Sequence, residues 1–191
     1  VELLIEAGVP GGVVNVVHGG GGEVGNAIVI HPDVPVITLT GSRETGVQVT
    51  KDAADRLKHV HLELGGKNAI IVLDDADPEL AVEGIIWSAF GTSGQRCTAA
   101  SRVIAQEGVC DELTSGLVDE AEKLRLGVGW EEDTDVGPVI NKAALEKIHS
   151  YTTIGKDEGA TLLTGGEVAS GDGLDKGFYY RPTIFGDVDP E

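Results

Sequence analysis

A cysteine and a glutamate are the residues of this sequence best placed to do chemistry. Cys97 follows a polar, glycine-bearing loop, Gly91-Thr92-Ser93-Gly94, stands next to Arg96, and precedes Thr98-Ala99-Ala100-Ser101, a stretch able to open a helix. A helix N-terminus and a neighbouring cation both favour the thiolate, the nucleophilic form of cysteine. A plainer reading competes, because most cysteines are small, inert core residues. Cys110 fits the plainer one: it begins an amphipathic run beside Asp111 and Glu112, which disfavour a thiolate, and it reads as structural. Glu63 ends the alternating run HVHLEL just before Gly65-Gly66. A carboxylate buried at such a place holds its proton more tightly and becomes a useful base near neutrality; its plainer reading is an exposed strand end. His18, His31, His59, His61 and His149 show no ligand spacing, and no metal site is expected.

Glycines supply the remaining candidates. Gly20, Gly22 and Gly25 formally satisfy G-x-G-x-x-G after a strand-like run and before a helix-like one, the context of a dinucleotide loop. Adjacent glycines match that pattern cheaply. Gly41 to Gly46, GSRETG, also joins strand to helix, so its amides and the Ser42 hydroxyl could meet an anion at a helix N-terminus. It lacks the Lys-Ser/Thr of a phosphate-gripping loop, and on spacing alone Ser42 reads as an ordinary N-cap.

The elements that must position these residues alternate between strand and helix. VELLIEAG is a helix closed by a glycine, with Pro10 beyond. Val13–Val17 is a β-branched strand, EVGNAIVI a short helix, and Val34–Thr40 a second strand. RETGVQVTKDAADRL is a helix with Val47, Ala54 and Leu57 as its apolar contacts, and HVHLEL is a third strand. Next come a buried strand Asn68–Leu73, a helix starting at Pro78, a strand SRVIAQ, and an amphipathic helix with Leu113, Leu117, Ala121 and Leu124 on one stripe. A loop, a further helix NKAALEKIHSYTTIGKDEGA, and the strands ATLLTGG and YYRPTIF complete the chain. This is the pattern of βαβ units and a parallel sheet, with a domain boundary near Gly65-Gly66.

Composition narrows the class of function. The chain has 191 residues, 32 acidic against 14 basic, for a formal net charge of −18. Such a chain does not neutralise nucleic-acid phosphates or dock on an anionic membrane face. No apolar run is long enough to span a bilayer. With two cysteines and no secretory leader, a soluble cytoplasmic protein is expected. The acidity reads either as an ordinary solvated surface or, preferably, as adaptation to a high-salt cytoplasm. The sequence has no methionine, opens inside a helix and stops at Asp189-Pro190-Glu191 just after an apolar run, so it reads as an internal piece of a longer protein.

Taken together, these segments resemble the NAD(P)-dependent aldehyde dehydrogenase superfamily. ELGGKNAIIVLDDAD at 63–77 is similar to its glutamate signature, and FGTSGQRCTAASRVI at 90–104 to its cysteine signature, with Glu63 and Cys97 34 residues apart. LTGSRETG at 39–46 resembles its cofactor loop, where an aromatic residue is commoner than Leu39; GVVNVVHG, VGPVI and YRPTIF also resemble family segments. The resemblance implies an α/β fold, with 1–65 the end of a Rossmann-like cofactor domain and 66–191 most of a catalytic domain. It implies oxidation of a small-molecule aldehyde with NAD or NADP: Cys97 attacks as thiolate, hydride passes to the nicotinamide, and Glu63 activates the water that hydrolyses the thioester. The Cys97 amide would form half of the oxyanion hole. Ser42, within Gly41–Gly46, would touch the pyrophosphate, Gly21 and Gly25 would border the adenine, and the Leu64 carbonyl would meet the carboxamide. The QRCTAASR wording is similar to that of semialdehyde-oxidising members. Two alternatives stay open: a non-catalytic nucleotide-binding paralogue, and a coenzyme-A-acylating relative, in which Glu63 is commonly absent. Family elements outside this chain include the oxyanion asparagine, so the piece alone is expected to be inactive and its parent a homodimer or homotetramer.

Overall fold

The computed structural model describes residues 1–189; Pro190 and Glu191, at the stop noted above, lie outside them. The chain divides into two compact units, Val1–Gly65 and Gly66–Glu191.

The first unit opens with helix α1 (Glu2–Glu6), closed where Gly8 takes φ +95° and its N–H donates to the Ile5 carbonyl at 2.9 Å. Gly21–Gly25 forms a π-helical turn that runs directly into α2 (Asn26–Ile30). Strand β1 (Val36–Gly41), helix α3 (Arg43–Ala54) and strand β2 (His59–Leu64) make a βαβ unit, with β1 and β2 parallel. Val29, Ile37 and Val49 form the core of this unit.

The structure corrects the sequence reading of this unit at two places. Val13–Val17 is not a strand: these residues are exposed and pair with no strand among the described residues. A β-branched run without a ladder partner gains nothing from extension that water does not also offer its backbone. Helix α3 buries Gly46, Val49 and Ala53 rather than Val47, Ala54 and Leu57. Leu57 lies beyond the helix end and is 90% exposed. The face is set by Gly46, whose absent side chain lets the first turn of α3 settle on β2: a Cβ there would lie 2.9 Å from Leu64 Cδ2.

The second unit contains β3 (Asn68–Val72), α4 (Pro78–Phe90), β4 (Ala100–Ala105), α5 (Glu107–Lys123), α6 (Lys142–Asp157), β5 (Thr161–Thr164) and β6 (Ile184–Gly186). β3 and β4 are parallel, whereas β5 and β6 are antiparallel, so the all-parallel expectation fails for the last pair. Of YYRPTIF only Ile184 onward enters β6, while Tyr180 makes an isolated bridge with Val168. Asp77 caps α4, accepting from the amides of Glu79 and Leu80 at 3.0 and 3.1 Å with Pro78 in the first turn; Asn141 caps α6 in the same way. Val72, Val82, Ile85, Val109, Leu113 and Leu117 form the core, so β3, α4 and α5 hold one another. The predicted stripe on α5 is present at Leu113, Leu117 and Ala121, joined by Val109. Among the described residues no helix is long and apolar enough to cross a membrane.

Candidate active site

In the first unit the register of two strands brings the candidate cofactor residues together. β1 and β2 end level, with Thr40 opposite Glu63 and Gly41 opposite Leu64. Ser42 starts α3 at that edge, and Gly46 packs on Leu64. Gly41, Ser42, Gly46, Leu64 and Glu63 thus share the carboxyl ends of two parallel strands, where open α/β sheets take their ligands. The Ser42 hydroxyl caps the helix, accepting from the Thr45 amide at 3.2 Å and pairing with the Thr45 hydroxyl at 3.1 Å. A close-packed glycine in the first turn and an exposed, capped helix start above the strand ends fit a pyrophosphate-bearing cofactor. Gly20, Gly21, Gly22 and Gly25 differ, since a Cβ added at any of them meets nothing within 4 Å. Packing within this chain does not require glycine there.

Glu63 lies on the exposed face of β2 with His59 and His61, while Val60, Leu62 and Leu64 turn inward. The expectation of a buried carboxylate is corrected: strict alternation along HVHLEL sends its polar members to one side.

In the second unit Cys97 is exposed in a turn, not at a helix N-terminus. The Ala99 amide closes that turn on the Arg96 carbonyl at 3.1 Å, and Ala100 begins β4. Pairing with β3 has overridden the helix propensity of the alanines. Arg96 does not turn to the thiol. Its guanidinium donates to the Trp87 and Ser88 carbonyls at 3.0 and 3.3 Å and stacks on the Trp87 ring, 4.1 Å from the centroid. The cation therefore serves the C-terminal end of α4, where the helix dipole is negative. Cys110, read from sequence as structural, is exposed on α5.

The cysteine turn is held from several directions by residues the sequence reading passed over. Thr92 and Ser93 sit at φ +52° and +56°, strained for side chains of their type. The Ser93 hydroxyl ties that strained segment to the Gly137 carbonyl at 2.8 Å, and Gln95 Oε1 accepts from the Ile140 amide at 2.9 Å. The VGPVI stretch is thus the wall on which the cysteine loop is fastened. Asn68 Nδ2 donates to the Cys97 carbonyl at 2.6 Å. The one available signal for Asn68 was a polar side chain opening an otherwise apolar strand. A groove of about 1080 Å³ in the second unit, lined by residues of α4 and α5 and by Thr134, Asp135 and Val136, includes neither Cys97 nor Glu63 in its lining.

The chain is similar to known proteins along its whole length. The family model described as "Aldehyde dehydrogenase family" matches residues 1–191. A 1-pyrroline-5-carboxylate dehydrogenase of Anoxybacillus flavithermus is 46% identical over 197 residues, covering 100% of this chain and 37% of its own length. A betaine aldehyde dehydrogenase of Brucella anthropi is 44% identical over 187 residues, covering 98% of this chain and 38% of its own. Among solved structures, betaine aldehyde dehydrogenase from Staphylococcus aureus in complex with NAD+ superimposes with a TM-score of 0.93 at 40% identity, over 98% of this chain and 37% of that one. The chain spans little more than a third of the length of these relatives. The α/β architecture, with parallel strand pairs joined through helices, is the aldehyde dehydrogenase one. A match that leaves no residue of the chain outside it, at identities far above what a shared fold alone retains, shows that this chain belongs to the aldehyde dehydrogenase family.

Proposed function

We propose that the whole protein oxidises an aldehyde to its carboxylic acid with NAD(P)+, with Cys97 as nucleophile and Glu63 as the base for hydrolysis. The observation that carries this reading is the cysteine turn. An exposed thiol stands on a segment fastened by Ser93, Gln95 and Asn68, within a chain that aligns end to end with dehydrogenases. Cys97 Sγ adds to the aldehyde carbon, and its own amide stabilises the oxyanion that forms. NAD(P)+, when bound, supplies the acceptor for the hydride that leaves that carbon. Gly41, Ser42, Gly46 and Leu64 would hold it at the strand ends, with Gly21 and Gly25 bordering the adenine. Glu63 then takes a proton from the water that attacks the acyl carbon, and Cys97 leaves as thiolate. The relatives solved with NAD+ support NAD as the cofactor. Val1–Gly65 is read as the end of the cofactor domain and 66–191 as most of the catalytic domain.

The substrate is read as a semialdehyde, supported by the QRCTAASR wording and by relatives named 1-pyrroline-5-carboxylate dehydrogenase. The experiment is an aldehyde panel on the full-length protein with NAD+ and NADP+, with and without coenzyme A, following both reduced cofactor and product. Reduced cofactor with free acid is expected. Acyl-coenzyme A as the product would reassign Glu63, and no reduced cofactor with any aldehyde would overturn the reading.

A further inference from the structure

Asn68 opens β3 and reaches across to the cysteine turn. Its Nδ2 donates to two carbonyls of that turn, Cys97 O at 2.6 Å and Ala99 O at 3.1 Å. The contact is returned by Ser101, whose hydroxyl donates to the Asn68 carbonyl at 3.2 Å. The β3–β4 ladder slips at this point: Asn68 is opposite Ala100, but Ala69 is opposite Arg102. The ladder is irregular at this point, and the Asn68 carboxamide adds two side-chain bonds to carbonyls of the adjoining turn.

A peptide unit is planar, so anchoring the Cys97 carbonyl also fixes the direction of the Thr98 amide and restrains ψ of Cys97. The second bond, to Ala99, anchors the other side of the same turn. The carboxamide suits the task by its donor count: its nitrogen carries two hydrogens and no charge, and both hydrogens are used. A serine at this place offers one donor. An ionised aspartate offers none and sets its oxygens against two carbonyl oxygens.

We infer that Asn68 is a positioning residue for Cys97, holding the turn so that the thiol is already aimed before an aldehyde arrives. The inference rests on the reading of Cys97 as nucleophile. It places Asn68 outside direct contact with the reacting atoms. Its loss therefore lowers the rate of the chemical step and leaves substrate binding nearly unchanged.

The test uses the full-length protein carrying Asn68→Ser, Asn68→Ala or Asn68→Asp. The expected result is a graded fall in kcat at nearly constant KM, with serine intermediate and alanine lower by on the order of 10²-fold, the scale of a small misplacement of a reacting group. The aspartate variant should be the slowest at neutral pH. Relative to the parent it should recover as pH falls, because a protonated carboxyl regains one O–H donor; the alanine variant should not. Unchanged kcat in the serine and alanine variants overturns the inference, as does an aspartate defect of equal size at acid and neutral pH. Should the aspartate variant fail to fold, the order of serine and alanine decides. Cys97→Ala in the same full-length protein separates the two readings. Turnover that survives Cys97→Ala removes the nucleophile assignment. Turnover abolished by Cys97→Ala, with Asn68→Ala silent, removes only the present inference.

Discussion

At the residue scale, chain proximity and spatial proximity part company around Cys97. Arg96 is its neighbour in sequence, yet the guanidinium is committed to two carbonyls of α4 and to the Trp87 ring. Arg96→Ala should therefore act through stability. Losing charge-assisted bonds to backbone carbonyls and a stacked contact removes about 1–3 kcal/mol, measurable as a lower denaturation midpoint in urea, whereas an unchanged midpoint would show the guanidinium idle. Cys97 and Glu63 were candidates by residue type and context, and it was the resemblance of 63–77 and 90–104 to two family signatures that raised them to the proposed nucleophile and base. Asn68, Ser93 and Gln95 were not legible, because their partners lie 29, 44 and 45 residues away along the chain and only the fold brings them together. The Ser42 cap was legible, since a serine before a helix makes a local bond to an amide three residues on.

At the element scale, strands with partners were readable and those without were not. HVHLEL and NAIIV find parallel partners, although NAIIV, expected as a buried strand, fully buries only Val72, whereas Val13–Val17 has the composition of a strand and no ladder among the described residues. The helical face of α3 escaped the sequence because a glycine, invisible to any count of apolar residues, is what lies against β2. A second element-scale feature pins α6 to the segment before β6. The Tyr180 hydroxyl is bonded to Thr152 at 2.8 Å and to His149 Nδ1 at 3.0 Å. Burial raises the Tyr180 pKa above its ordinary 10.0, opposed by the Thr152 bond and aided by the charge of Glu167. A raised value in the folded state means stability that is full below pH 10 and is lost as pH climbs through the folded pKa. Tyr180→Phe should lower stability at neutral pH by about 1 kcal/mol, by leaving the buried Thr152 hydroxyl short of a partner. It should also flatten the alkaline decline. Thermal midpoints of both proteins from pH 7 to pH 11 read this directly, and parallel alkaline slopes would contradict it.

At the scale of the whole molecule, charge and chemistry are each collective. The net charge of −18 has little local compensation: among the described residues the ion pairs Lys123–Glu120, Arg125–Asp133, Arg125–Asp135, Lys142–Glu146 and Arg181–Glu167 are solvent-exposed. Exposed pairs contribute roughly 0–1 kcal/mol each, so repulsion among the acidic residues is set by the surrounding salt. At about 1 M the screening length falls to roughly 3 Å. The thermal midpoint of the full-length protein should rise from dilute buffer to molar potassium chloride, and a flat or falling midpoint would contradict the high-salt reading. Cys97 and Glu63 fall in different compact units, so kinetics of the intact protein ties them to one reaction. The direct measurement is pre-steady-state release of reduced cofactor by Glu63→Gln, with Cys97→Ala beside it. The account predicts no reduced cofactor from Cys97→Ala. For Glu63→Gln it predicts a first-turnover burst followed by a steady state slower by roughly 10²–10⁴-fold, the worth of a general base, as the thioester accumulates on Cys97. Steady-state turnover of Glu63→Gln at the parent rate would remove the glutamate from the mechanism, and turnover by Cys97→Ala would contradict the account at its centre.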